Sequence, residues 1–131
     1  MSVLVDTSVW SLALRRAKAP SPHAENVARL LRTSNAVLLG IIRQEVLSGI
    51  PDMKKFERLR DELRNLPDHP VKLIHHETAA EFFNRCRSHG VQGTTVDFLL
   101  CAVAAIDQLP IYTTDQDFQH FAKYLPIKLF Q

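Results

Sequence analysis

Apolar positions in this chain come in two kinds of run. Short unbroken ones, Val3-Leu4-Val5, Ala36 to Ile41 and Pro110 to Thr113, suit parallel strands buried on both faces. The longer segments place apolar residues three and four apart, the spacing of one helix face. Thr7 to Leu14 reads as a short helix. The break Ala19-Pro20-Ser21-Pro22 precedes a second, with Ser21 as N-cap and Pro22 at the first helical position. Ala24, Val27, Ala28 and Leu31 form its apolar face, and Thr33-Ser34-Asn35 ends it. Ile42 to Ile50 is a third helix, stopped by Gly49 and Pro51. Asp52 caps the next, where Phe56, Leu59, Leu63 and Leu66 make a core stripe ended by Pro67 and Pro70.

Further along, Val71 to Ile74 reads as a short edge strand. Glu77 to His89 is a helix with Ala79, Phe82, Phe83 and Cys86 inward and Gly90 as its stop. Gly93-Thr94-Thr95-Val96-Asp97 opens a helix apolar nearly all round, Phe98 to Ile106, which should be central. Asp115 to Leu125 is a last short helix, and Ile127 to Phe130 offers a final strand. Strands alternating with helices imply an α/β fold with parallel pairing and right-handed crossovers.

This pattern puts four acids at related places. Asp6 closes the first apolar run, Glu45 follows the second, Asp97 opens the central helix and Asp115 follows the third strand. In a parallel sheet such positions crowd one carboxyl edge, where open α/β sheets bind ligands. Carboxylates about 5 Å apart repel by roughly 3 kcal/mol at an effective dielectric near 20. A cluster of that kind calls for a cation, and oxygen-only ligands suit Mg²⁺ or Mn²⁺.

Each acid alone has an ordinary reading. Asp6 and Asp115 could be N-caps, Asp97 could close a capping box with Thr94, and Glu45 could be a solvated helix residue. The combination argues otherwise: Glu45 lies inside its helix, and Asp97 abuts the most apolar one, where an unpaired carboxylate is costly. Asp117 adds a fifth acid.

Composition narrows the field. The chain has 131 residues, 46% hydrophobic and 23% charged, the profile of one globular domain. No run of 18 apolar residues is present, so a membrane span is excluded, and the first residues read as a strand, not a signal peptide. Cys86 and Cys101 read as buried free thiols, which suits a reducing cytoplasm. A net charge of +2 permits nucleic-acid binding without arguing for it. Arg15, Arg16, Lys18 and Arg43 are candidates for phosphate contacts, with a solvated role equally open. His75-His76-Glu77 reads as a turn, because adjacent side chains diverge. Trp10 and Tyr112 read as core.

Four segments carry a resemblance. Val5-Asp6-Thr7-Ser8-Val9-Trp10, then Gln44-Glu45-Val46-Leu47, then Asp97 ahead of Leu100-Cys101-Ala102-Val103-Ala104, then Thr113-Thr114-Asp115-Gln116-Asp117-Phe118 resemble the four-part signature of PIN domains. Their order, spacing and the chain length are most similar to the VapC-type toxins of toxin–antitoxin pairs. The resemblance implies a three-layer α/β/α sandwich with a central, mostly parallel sheet, and a Mg²⁺- or Mn²⁺-dependent endoribonuclease. It also implies a cognate antitoxin and a homodimer. Carried over by residue, Asp6, Glu45, Asp97 and Asp115 match the acidic quartet, with Asp6 and Asp97 as direct metal ligands. Asp117 matches a more variable acid, and Thr7, Ser8 and Thr113 match supporting hydroxyls. Cys101 stands where many relatives carry alanine.

Competing readings are an Asp-based phosphohydrolase and a non-catalytic RNA- or partner-binding module. A haloacid-dehalogenase-like phosphatase would need Asp at position 8, where Ser8 stands; a receiver domain would need an acid beside Asp6. The module reading fits less easily with all four acids present.

Overall fold

The structure, a computed structural model, describes residues 1–14 and 22–131. Strand β1 (Val3–Val5) is the centre of a parallel sheet of order β2-β1-β3, flanked by β2 (Ala36–Val37) and β3 (Ile111–Tyr112). Val3 faces Ala36 and Leu4 faces Val37 on one side; Leu4 faces Ile111 and Val5 faces Tyr112 on the other. Successive strand residues point to opposite faces, and Val3, Leu4 and Val5 are all fully buried. Both faces of the sheet are therefore covered, as in a three-layer α/β/α sandwich.

The covering helices are α1 (Thr7–Leu14), α2 (Pro22–Arg32), α3 (Gly40–Ser48), α4 (Met53–Leu63), α5 (Leu73–Ser88), α6 (Thr95–Asp107) and α7 (Asp117–Phe121). Helix α6 is the apolar centre: Phe98 and Leu100 to Ala104 are all buried, and α5 packs along it. Trp10 is buried too and donates its indole N–H to the carbonyl of Val5 at 3.1 Å. Tyr112 is buried with its hydroxyl within 2.7 Å of His23 Nδ1 and 3.1 Å of Asn26 Nδ2. Both aromatics are core residues. Cys86 and Cys101 are buried and free.

Several boundaries differ from the sequence expectation. The run Ala36 to Ile41 is not one strand: β2 ends at Val37, and Leu39 is the extended N-cap of α3. Leu38, Leu39 and Ile42 are all buried, so a buried strand and a buried helix start share one apolar signature. Val71 to Ile74 forms no strand. Leu73 and Ile74 occupy the exposed first turn of α5, and the edge pairing falls earlier, where Asp68 bridges Leu38 in parallel. Ile127 to Phe130 does pair, through a parallel bridge of Leu129 with Ile111. The cap expected at Ser21 lies outside the described residues.

Why α5 begins early is visible in its side chains. The Lys72 N–H donates to His75 Nδ1 at 2.9 Å, so a histidine caps the helix from its third position. An accepting Nδ1 carries no proton, which leaves the proton of neutral His75 on Nε2. That nitrogen lies 3.1 and 3.2 Å from the two Asp107 oxygens, and His69 Nε2 lies 2.7 Å from one of them. Asp107 thus ties the α4–α5 connection to the end of α6. Burial tends to raise the Asp107 carboxyl, but the hydrogen bonds from His69 and His75 and their electrostatic attraction outweigh it and hold the group below its ordinary value.

A carboxylate depressed in the folded state stabilises the fold above its unfolded pKa and loses that contribution as pH falls through the folded value. Melting of the wild type should therefore drop more steeply between pH 5 and about pH 3 than melting of Asp107→Asn. Parallel pH profiles would remove this link.

Arg43 also has a structural task. It donates to Asp68 at 2.9 Å and to the carbonyls of Leu63 and Leu66 at 2.8 and 2.5 Å, fastening the end of α4. With its guanidinium so committed, Arg43 is withdrawn as a phosphate contact. Arg15, Arg16 and Lys18 lie outside the described residues.

Candidate active site

At the carboxyl ends of the strands lies a cleft of about 570 Å³, lined by Asp6, Glu45, Asp97, Asp115 and Asp117. The topology accounts for the convergence. Asp6 follows β1 and Asp115 lies three residues past β3. Glu45 projects from α3, and Asp97 from the first turn of α6. A larger hollow of about 770 Å³ lies by Met1, Pro110 and Leu129 at the other end of the sheet, and no acidic side chain lines it.

Among the described residues the four carboxylates share one arrangement: one oxygen is held by an internal donor and the other is not. Asp6 Oδ2 accepts the hydroxyls of Ser8 and Thr113, each at 2.9 Å. Glu45 Oε1 accepts Thr7 Oγ1–H at 2.7 Å. Asp97 Oδ2 accepts the Thr94 N–H at 2.9 Å, and the Asp97 N–H returns to Thr94 Oγ1 at 3.1 Å. Asp115 Oδ1 accepts the Asp117 N–H at 2.9 Å. The hydroxyls are tied in turn: the Thr114 N–H donates to Ser8 Oγ at 3.1 Å and the Asp115 N–H to Thr113 Oγ1 at 3.0 Å.

The capping box of Asp97 with Thr94 is real, whereas the N-cap of α7 is Gln116 and Asp115 sits one residue ahead of it; both acids still accept backbone amides at helix starts. These bonds do not compete with a second role, because each leaves an oxygen uncommitted. Among the described residues the Asp6 carboxylate accepts only hydroxyls. Thr7, Ser8 and Thr113 each hold or neighbour an acid.

The acids sense one another. Burial is the main force raising the Asp97 carboxyl; its bonds to Thr94 oppose this, and the charges of Asp6 and Asp115 add to it. Burial, then Asp97, Cys86 and Asp6, push the Cys101 thiol well up, so it stays protonated as a packing group. Among the described residues no three His, Cys, Asp or Glu side chains form a ready-made ligand set. The carboxylates line a common space without gripping a common point. That suits Mg²⁺, which keeps several waters and takes one or two carboxylates directly.

Three lining residues were not predicted as site residues from the sequence: Gln44, Ser48 and Thr94, the last read only as a capping partner of Asp97. Gln44 and Ser48 are four apart on α3, flanking Glu45, so a search for neighbours on one helix face finds them.

A PIN domain family model matches residues 3–124. The chain belongs to the PIN domain family. No curated protein matches its sequence. Among solved structures, this PIN domain is similar to FitAcB from Neisseria gonorrhoeae, with 22% identity and a TM-score of 0.75 over 98% of this chain and 96% of that one. VapBC2 from Rickettsia felis, bound to a DNA fragment from its promoter, is 16% identical with a TM-score of 0.77, covering 99% and 98%. VapBC-5 from Mycobacterium tuberculosis, a member of the VapBC family of toxin–antitoxin systems, is 15% identical with a TM-score of 0.70, covering 99% and 98%. At these identities the likeness is one of fold. Among the described residues, no helix is long and apolar enough to cross a membrane.

Proposed function

We propose that this PIN domain is a Mg²⁺- or Mn²⁺-dependent endoribonuclease, acting in the cytoplasm as the toxin of a toxin–antitoxin pair. The observation that carries the reading is the oxygen arrangement of Asp6, Glu45, Asp97 and Asp115, each with one anchored and one uncommitted carboxylate oxygen in a shared cleft. Four such groups are preorganised as ligands and are poorly explained as packing.

Asp6 and Asp97 would hold the ion directly, with Glu45 and Asp115 completing the site directly or through water. Bound there, a divalent ion supplies charge relief on the phosphodiester and a more acidic attacking water. The chain's own part is placement. Ser8 and Thr113 fix the Asp6 carboxylate through one shared oxygen, and Thr7 holds Glu45 against α1. Thr94 pins Asp97 to the rim of α6. Asp117 lends the backbone N–H that orients Asp115. Such locking keeps ligands from rearranging during the reaction.

The direct test is RNA cleavage by the purified protein in EDTA and across a titration of Mg²⁺ or Mn²⁺. Cleavage that saturates with metal and vanishes in EDTA is expected. Metal-independent cleavage, or none at any concentration, would sink the proposal.

The partner reading comes from the resemblance and from the kind of complexes in which similar folds are found, the VapBC toxin–antitoxin family among them. A cognate antitoxin would cover the acidic cleft, where an Arg could pair in bidentate fashion with carboxylates. The apolar surface of α4 and α5 would support a homodimer. Light scattering of the protein alone, and with the product of the adjacent gene, tests both.

A further inference from the structure

The cleft holds one neutral group of a different kind. Apart from its acids it is lined by the hydroxyls of Thr7, Ser8, Ser48 and Thr94, and by the amide of Gln44. Thr7 and Ser8 spend their protons on Glu45 and Asp6, and Ser48 donates to the backbone carbonyl of Gln44 at 2.6 Å. Thr94 Oγ1 accepts from Asp97. The Gln44 side chain is exposed and makes no hydrogen bond within the described structure. Alone on this wall it offers both a donor and an acceptor, side by side and unspent. Its place is set by α3: Ile42 and Val46 are buried, which turns Gln44, Glu45 and Ser48 outward.

An amide so placed has a limited choice of partner. Phosphate oxygens only accept, and so would use only the N–H half of the group. A nucleobase edge presents an adjacent donor and acceptor, the pattern that Gln and Asn pair with in bidentate fashion. Bases are open to such contact where RNA is single-stranded and unstacked. Resting on the ribonuclease reading above, we infer that Gln44 is a specificity-determining residue that reads a base next to the scissile phosphate. The acids position the bond, and the neighbouring amide selects the sequence.

Gln44→Met keeps the length of the side chain while removing both polar atoms. Wild type and variant are compared, in Mn²⁺, on single-stranded RNA oligonucleotides differing only in the bases flanking the cut. The wild type should prefer one base beside the cleaved bond, and Gln44→Met should lose that preference by about tenfold, the order of one bidentate base contact. Its KM for the favoured RNA should rise, with circular dichroism unchanged. A variant with the same base preference overturns this inference while leaving the ribonuclease reading intact. A KM raised equally for every base also overturns it, pointing to a sugar or phosphate contact. Wild-type protein that cuts no RNA overturns the ribonuclease reading and this role with it.

Discussion

Asp97→Asn is expected to lower RNA cleavage by at least about 100-fold, the order seen when one preorganised electrostatic group is removed from a site of developing charge. The fold should survive and become more stable. Burial and the charges of Asp6 and Asp115 together disfavour the ionised Asp97 more than its bonds to Thr94 favour it. A carboxyl raised in the folded state stabilises the fold only while protonated, so at neutral pH its charge is a net burden. Asparagine removes that charge, and its carbonyl oxygen can still accept the Thr94 N–H. Initial rates in Mn²⁺ and thermal melting in EDTA measure the two effects separately. Full activity in the purified variant would take Asp97 out of the mechanism. A lower melting temperature would mean that the cap outweighs the repulsion.

The acids were legible in the sequence because a parallel sheet gives every strand end the same address. An acid just after a buried run has to emerge at the carboxyl edge, whichever helix it then enters. Asp6, Glu45 and Asp115 needed no side-chain detail to be placed together. Asp97, which follows a helix and not a strand, was singled out by its place at the head of the most apolar helix. What fixes each carboxylate was less visible. Thr7 reaches Glu45 across 38 positions, and Thr113 reaches Asp6 across 107. Pairings of that range follow from strand order and register, which local patterning does not encode.

The same limit explains the His69–Asp107–His75 cluster, which joins residues up to 38 positions apart. It also explains the misplaced strand at Val71. A short run such as Val71-Lys72-Leu73-Ile74, apolar but for one lysine, fits a strand and a helix start alike. The decision came from His75 capping the Lys72 amide while facing Asp107, a tertiary contact. Arg43 stood as a candidate phosphate contact because its partners, Asp68 and the carbonyls of Leu63 and Leu66, come close only after folding.

Gly93 illustrates a constraint hidden from sequence, and Gly93→Ala should be the most damaging small change outside the acids. A Cβ there would lie 2.6 Å from Phe121 Cζ and 3.0 Å from Phe98 Cε2, inside contact distance of two buried rings. Neither ring can retreat easily. Phe98 packs edge-on against Phe83 at 5.4 Å between centroids, and Phe121 packs likewise against Phe118 at 5.2 Å. Overpacking of this kind costs about 1–3 kcal/mol, a fall in melting midpoint on the order of 3–10 °C for a domain of this size. Activity should fall as well. Gly93 directly precedes Thr94, whose bonds to Asp97 set the rim of α6, so backbone displaced to spare the rings moves a proposed metal ligand. Displacements near 1 Å can lower rates by about 100-fold. Gly49→Ala is the matched control: its Cβ would meet nothing closer than the Val46 carbonyl at 3.8 Å. Equal melting and equal cleavage for the two variants would show that the aromatic cluster tolerates a methyl group and does not hold Asp97 in place.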